Sequence, residues 1–264
     1  MMRRIVVLLR DAVDPSDIKV DPTTRRPAIE VAKRRIGELD KRALEEALRI
    51  REKVGGEVCT LTVGDERSKT ALLEALAMGA DRAYLVSVGA DAWVDALTTS
   101  LLLEVALRRL SPYDLILCGE MSLDSLSSQI GPRLAELLDL PQVTYVKQLA
   151  VEGDKLRAVR DLEDADEVVQ VELPAVVSVS REINEPRIPS LMSIMRAKSK
   201  QIITLDAPSL GLPSEEIPRD RAIEVIGVEA LRVERKRVMV KGETIEETVE
   251  KLIQHLITEG VLEG

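Results

Sequence analysis

The feature that most restricts this chain is the regular alternation of short apolar runs with segments of helical period, the pattern of strands joined by crossover helices. Ile5–Leu9 reads as a first strand. Leu39–Lys53 then spaces Leu39, Ala43, Leu44, Ala47, Leu48 and Ile50 along one helix face, leaves Glu45, Glu46 and Arg49 for solvent, and stops at Gly55-Gly56. The unit recurs as strand Glu57–Val63, helix Ser68–Met78 closed by Gly79, strand Arg82–Ser87, helix Ala92–Leu110, strand Asp114–Cys118 leading to Gly119, and a helix from about Ser127 to Leu138. Strands separated by helices pair in parallel, so the expected fold class is α/β, a doubly wound, mostly parallel sheet built on these four strands.

Beyond Pro141 the helices disappear. Thr144–Leu149, Lys155–Arg160, Glu167–Val171 and Ala175–Ser180 follow one another across charged turns such as Glu152-Gly153-Asp154, which reads as antiparallel hairpin strands added to the sheet. Asp206–Asp220 carries Pro208, Pro213 and Pro218 without periodicity and reads as an extended linker, in which about 15 residues reach tens of ångströms at about 3.1 Å each. Ile245, Val249, Leu252 and Leu256 then share one face of a terminal helix, which packs on this chain's own core or on a partner. The expected division is an α/β domain over residues 1–205 and an arm of linker and amphipathic helix over residues 206–264.

Charge and rare residues narrow the function. With 37 Lys and Arg against 46 Asp and Glu the net charge is −9, which disfavours nucleic acid as a partner. Cys59 and Cys118 are too few for a disulfide framework or a thiolate metal site and read as buried small hydrophobes. The single histidine, His255, lies in the terminal helix, remote from any nucleophile, and reads as a surface residue, so no catalytic triad and no metal site are expected. No apolar stretch is long enough to span a bilayer and Ile5–Leu9 is too short for a signal-peptide core, so the expectation is a cytoplasmic protein without direct membrane insertion. The absence of Phe and the single Asn fit a thermophile.

Ligands of open α/β sheets bind beyond the carboxyl ends of the strands, near helix N-termini whose first N–H groups lack partners. Four places qualify: Leu8–Asp11, Gly37–Asp40, Val63–Asp65 and Gly119–Gln129. The last ends a buried strand at Gly119 and brings Ser127 and Ser128 to the expected start of a helix, a place for a phosphate. The alternative is that Ser127 merely caps the helix while Asp124 stabilises the loop. Neither G-x-G-x-x-G after a strand nor G-x-x-x-x-G-K-[ST] occurs, and no acid/base pair stands out, so any chemistry belongs to a bound cofactor. The rivals are an adenine-nucleotide enzyme such as a nucleotidyl transferase or ATP pyrophosphatase, whose Gly- or His-bearing element is missing from Arg10–Asp14, and a ligand-free interaction module.

Asn184-Glu185-Pro186-Arg187-Ile188-Pro189-Ser190-Leu191 followed by Ile194-Met195-Arg196-Ala197-Lys198 resembles the N-E-P-R-x-x-x-L-x-x-I-M-x-A-K signature of electron transfer flavoprotein β subunits. Ala43–Leu48, Ala75–Arg82, Asp114–Gly119, Leu140–Thr144 and Leu173–Val177 extend the resemblance over roughly residues 1–205. It implies pairing with an FAD-carrying α subunit and a strand-end cleft for an adenine nucleotide. Carried over, that site comprises Leu8, Gly37, Glu38, Leu39, Asp40, Val63, Gly64, Gly119, Asp124, Ser125, Leu126, Ser127, Ser128, Gln129, Ile130 and Gly131.

Where many members read A-I-D-G-D-T-x-Q-x-G, this chain reads Ser122-Leu123-Asp124-Ser125-Leu126-Ser127-Ser128-Gln129-Ile130-Gly131, and their N-P-F is Gly37-Glu38-Leu39. Both departures resemble the electron-bifurcating, nitrogen-fixation-associated group. That resemblance favours FAD over AMP and implies that the β-subunit FAD takes a hydride from NADH, then passes one electron to the α-subunit flavin and the other toward a low-potential acceptor. With AMP instead, the subunit supports a neighbouring flavin that shuttles electrons between dehydrogenases and a quinone oxidoreductase, and any contact with the membrane is peripheral, through partners. The resemblance also makes Pro189, Leu191, Met192 and Met195 a partner-recognition segment; the residues alone also allow Leu191 as an ordinary core residue.

Overall fold

The computed structural model describes residues 4–88, 95–211, 223, 225–231 and 236–262. In chain order the elements are β1 (Arg4–Leu8), β2 (Asp11–Val13), β3 (Arg34–Ile36), α1 (Glu38–Val54), β4 (Glu57–Gly64), α2 (Lys69–Met78), β5 (Arg82–Ser87), α3 (Ala96–Leu110), β6 (Leu115–Gly119), α4 (Ile130–Leu138), β7 (Gln142–Glu152), β8 (Lys155–Asp161), β9 (Asp166–Glu172), β10 (Ala175–Val179), α5 (Leu191–Ala197), β11 (Ile202–Leu205), α6 (Ala207–Leu210) and α7 (Ile245–Thr258).

Nine strands form one sheet in the order β11-β5-β4-β1-β6-β10-β7-β8-β9. Pairing is parallel from β11 to β7 and antiparallel from β7 through β8 to β9. Successive residues of each parallel strand point to opposite faces, and both faces are covered. Ile5, Val7, Val58, Leu85, Leu115 and Leu117 pack with α1 and α2, whereas Val6, Leu8, Cys59, Leu61, Ile116 and Cys118 pack with α3 and α4. The expected doubly wound α/β fold is the one observed.

Three sequence expectations are corrected. Residues 175–180 are not part of a hairpin: β10 lies inside the parallel sheet between β6 and β7, all five of its residues buried, because Ala175-Val176-Val177-Ser178-Val179 has nothing polar enough to face solvent. The fourth helix begins at Ile130 rather than Ser127, since Leu126 (φ 49°) and Ser128 (φ 51°) adopt left-handed backbone that no helix continues. Glu45 and Glu46 are buried, not solvated. The small antiparallel pair β2–β3 and the edge strand β11 lie in stretches without a readable pattern. The third helix starts at Ala96 behind an Asp95 cap, and residues 92–94 of its expected span fall outside the described residues; of the expected linker, Ala207–Leu210 form α6 rather than extended chain, and 212–220 fall outside the described residues.

Cys59 and Cys118 are buried, and burial pushes the Cys59 thiol up to about 12 and that of Cys118 higher still, so both act as small hydrophobes. Residues 229–264 form a second compact unit. In it Thr244 caps α7 by accepting from the Glu247 N–H at 3.2 Å, none of the helix residues is buried, and His255 lies on its surface. No helix among the described residues is long and apolar enough to cross a membrane.

Candidate functional site: the crevice at the strand ends

After β1 the chain winds toward β4 and β5, then returns to place β6 on the other side of β1. The winding therefore reverses between β1 and β6, where an open α/β sheet forms a crevice. The residues singled out from the sequence converge on it: Leu8 ends β1, Val63 and Gly64 end β4, Gly119 ends β6, Gly37 to Asp40 make the first turn of α1, and residues 124–131 form the loop and start of α4.

The crevice is held together by one buried carboxylate. Asp40 Oδ2 accepts the Arg10 N–H at 2.7 Å and its Oδ1 accepts the Gly119 N–H at 2.9 Å, joining the ends of β1 and β6 to α1. Gly119 is a steric necessity, because a Cβ there would stand 2.7 Å from Leu39 Cβ and 2.9 Å from the Asp40 nitrogen. Burial raises the Asp40 pKa to about 6, although both backbone donors and the Arg10 charge act against that rise.

Around this centre the surface is rich in backbone donors and hydroxyls. Gly37, the N-cap of α1, supplies no side chain, and Gln129, the N-cap of α4, makes no capping bond, so both helices present first-turn N–H groups without side-chain acceptors. Ser127 caps nothing. Its hydroxyl instead accepts from Ser125 at 3.4 Å, and Ser125 meets Ser122 at 2.9 Å. The Arg10 guanidinium grips Asp124 Oδ2 at 2.8 and 2.5 Å; burial opposes the Asp124 charge, but Arg10 and Ser122 outweigh it and hold the pKa below the ordinary carboxylate value. Arg10 falls within the first of the four strand-end places, but the sequence gives it no role, since an Arg after a strand carries no signal by itself. Glu120, also unassigned, has a buried Oε2 without a partner, and burial followed by the charges of Glu182 and Asp161 raises its pKa.

The second candidate region lies elsewhere on the surface. Leu191, Met192 and Met195 are 76%, 66% and 60% exposed, so Leu191 is not a core residue. Ser190 caps α5 by accepting the Ser193 N–H at 3.1 Å, and Pro189 belongs to the extended stretch before it. That stretch is pinned to α1: Asn184 Nδ2 donates to the Arg42 carbonyl and to Glu46 Oε2, both at 3.0 Å, and Arg42 donates to the Asn184 carbonyl. Arg187 binds Glu45 through its backbone N–H at 3.1 Å and through Nε at 2.7 Å, and Glu52 through Nη1 at 2.6 Å. Burial opposes the Glu45 charge, yet Arg187 and Arg49 hold its pKa below the usual value. Ala43–Leu48 and Asn184–Arg187, far apart in the sequence, are thus the two halves of one contact.

Among the described residues no group of three or more His, Cys, Asp or Glu side chains is placed to hold a metal ion.

Residues 28–210 match the electron transfer flavoprotein domain. The chain is 38% identical over 260 residues to the electron transfer flavoprotein subunit beta of Thermoanaerobacterium thermosaccharolyticum, covering 98% of this chain and 99% of the relative. It is 33% identical to the subunit of that name from Clostridium acetobutylicum, covering 96% of each. It is also 35% identical over 213 residues to the Caffeyl-CoA reductase-Etf complex subunit CarD of Acetobacterium woodii, covering 80% of this chain and 81% of the relative. With a matching domain over most of its length and full-length relatives of this identity, the chain belongs to the electron transfer flavoprotein β-subunit family.

Proposed function

We propose that this chain pairs with an FAD-carrying α subunit and holds a second FAD in the crevice between β1 and β6. The observation that carries this reading is the crevice itself, backbone-lined, with two helix N-termini that no side chain caps and the loop Ser122–Gly131 beside them. Its donor set fits such a ligand: first-turn N–H groups and the Arg10 guanidinium suit a diphosphate.

When bound, FAD supplies the redox chemistry. This chain's own residues bind and orient it: the α1 turn from Gly37 to Asp40, the ends of β4 and β6, and the loop from Asp124 to Gly131. The loop reading, with Asp124, Gln129 and Gly131 kept and Leu126 in place of the second acid, supports FAD over AMP and a role in dividing electrons from NADH. So does the likeness to a subunit named as part of a reductase complex. Residues 206–264, with the unburied apolar face of α7, serve as the arm that embraces the α subunit. The exposed tip at Leu191, Met192 and Met195 docks a dehydrogenase or quinone oxidoreductase.

Co-production with the α subunit, acid release and quantification of nucleotides test the reading. Two FAD per heterodimer are expected. One FAD and one AMP would make the subunit a structural support for its neighbour's flavin, and a nucleotide-free heterodimer would leave only an interaction module.

A further inference from the structure

Asp40 is the third residue of α1, where an acid ordinarily folds back onto its own helix to cap the N-terminus. Here it does not. The Gly37 N–H is taken by the Arg10 carbonyl at 2.9 Å, and both Asp40 oxygens reach away from the helix, to the Arg10 and Gly119 N–H groups. Three things follow from one side chain: the ends of β1 and β6 are held at a set spacing where the winding reverses, Arg10 is fixed with its guanidinium toward Asp124, and the first turn of α1 is left without a side-chain acceptor. A buried carboxylate that only served stability would be an odd choice, because its ionised form bears the cost of burial.

We propose that Asp40 is a positioning residue for nucleotide binding, its carboxylate spacing the ends of β1 and β6 and keeping the first turn of α1 open to an anionic ligand. The proposal rests on the reading of the crevice as the nucleotide site and gives the Asp40 side chain, beyond the backbone turn it belongs to, a positioning role in it. The charged and titratable groups that act on Asp40 are Arg10 at the end of β1, which favours its ionised form, and Asp124 in the loop, which opposes it; the Cys118 thiol on β6, which is neutral, feels the Asp40 charge in turn. The paired form is the carboxylate, since a protonated acid surrenders one of its two acceptor positions to a donor that meets another N–H. Nucleotide affinity therefore depends on pH through this side chain.

The test is Asp40→Asn in the full chain, with co-purified nucleotide removed, alone and with the α subunit. Affinities for FAD and AMP are measured by calorimetry between pH 5 and pH 8, with the thermal midpoint recorded alongside. FAD is the cleaner probe, because its diphosphate does not titrate in that range whereas the AMP phosphate does. The amide keeps the shape but turns an NH₂ toward a backbone donor, so affinity at pH 8 falls about tenfold. Wild-type affinity for FAD declines as pH falls from 7 to 5, the variant's stays level, and the variant's thermal midpoint at pH 8 is not below the wild type's. If the variant binds as tightly as wild type, or the two share one pH slope, the role is overturned while the nucleotide site stands. If the variant does not fold, the wild-type profile decides, and an affinity level from pH 7 to 5 overturns the role. A wild type that takes up neither ligand overturns the nucleotide reading and this role together.

Discussion

The two ends of the α1 contact surface use carboxylates in opposite ways. At the crevice, Asp40 is bound by two backbone N–H groups, and burial wins, raising its pKa to about 6. Five residues on, Glu45 is also buried, but there the Arg187 and Arg49 guanidiniums outweigh burial and its pKa falls. One helix thus carries a charge that the fold disfavours, facing a crevice, and a charge that the fold secures, facing an extended segment. Disfavoured charges collect where binding needs them, and secured charges where a segment without regular structure must be fixed. Glu45, Glu46, Arg187 and Asn184 hold the stretch before α5 in place of a backbone ladder, and the exposed apolar tip at Leu191 follows it.

The sharpest way to break the crevice is at its tightest point. Gly119→Val should lower stability by about 3 kcal/mol or more in chemical denaturation, since its first side-chain carbon meets Leu39 and the α1 backbone. Gly131→Ala, whose Cβ meets nothing closer than Cys118 Sγ at 3.4 Å, serves as the mild control.

The clamp is next. Arg187→Ala leaves the buried Glu45 with Arg49 alone and should cost about 2–3 kcal/mol, and a double-mutant cycle with Glu45→Gln should return most of that as coupling. Nucleotide affinity should not change in either single variant, which separates the two regions.

A pH series sharpens the contrast. Because the Asp40 pKa is raised in the folded state, the native chain holds the proton more tightly. Its contribution to stability is present below the unfolded value near 3.8 and is lost as pH rises through about 6. Relative to Asp40→Asn, the wild type should lose about 2 kcal/mol across that window. Glu45 has the reverse sign: its lowered pKa contributes stability above the unfolded value near 4.5 that is lost as pH falls through the lower folded value, so Glu45→Gln should narrow its deficit on acidification. Equal slopes for the two variants would contradict the comparison.

The smallest effect on stability belongs to an exposed residue. Leu191→Ala should shift the unfolding free energy by less than about 0.5 kcal/mol, while the proposed docking of an oxidoreductase weakens, seen as a raised KM for this chain with kcat unchanged.

The parallel core was legible because buried strands and amphipathic helices announce themselves by period: Ile5–Leu9, Arg82–Ser87 and the Leu39–Lys53 helix lie within a residue or two of their structural bounds. The position of β10 was not, since a short apolar run says only that it is buried, and which strands flank it is decided by long-range pairing. The helix start at Ile130 was missed for a local reason, the positive φ of Leu126 and Ser128, which neither residue type advertises. In the crevice, glycines, serines and strand ends could be placed from sequence, but the bond from Asp40 to two strands could not. Its partners, Arg10 and Gly119, are 30 and 79 positions away and take part through their backbones. The burial of Glu45 and Glu46 was hidden likewise, because their partners sit about 140 residues downstream.

The most direct test of the account is amide hydrogen exchange on the full chain with and without FAD. Protection is expected at residues 38–40, 63–64 and 119–131, with residues 184–197 and 245–258 unchanged. Exchange that is unaltered at the crevice, or slowed mainly along the other two segments, would contradict a nucleotide site between β1 and β6.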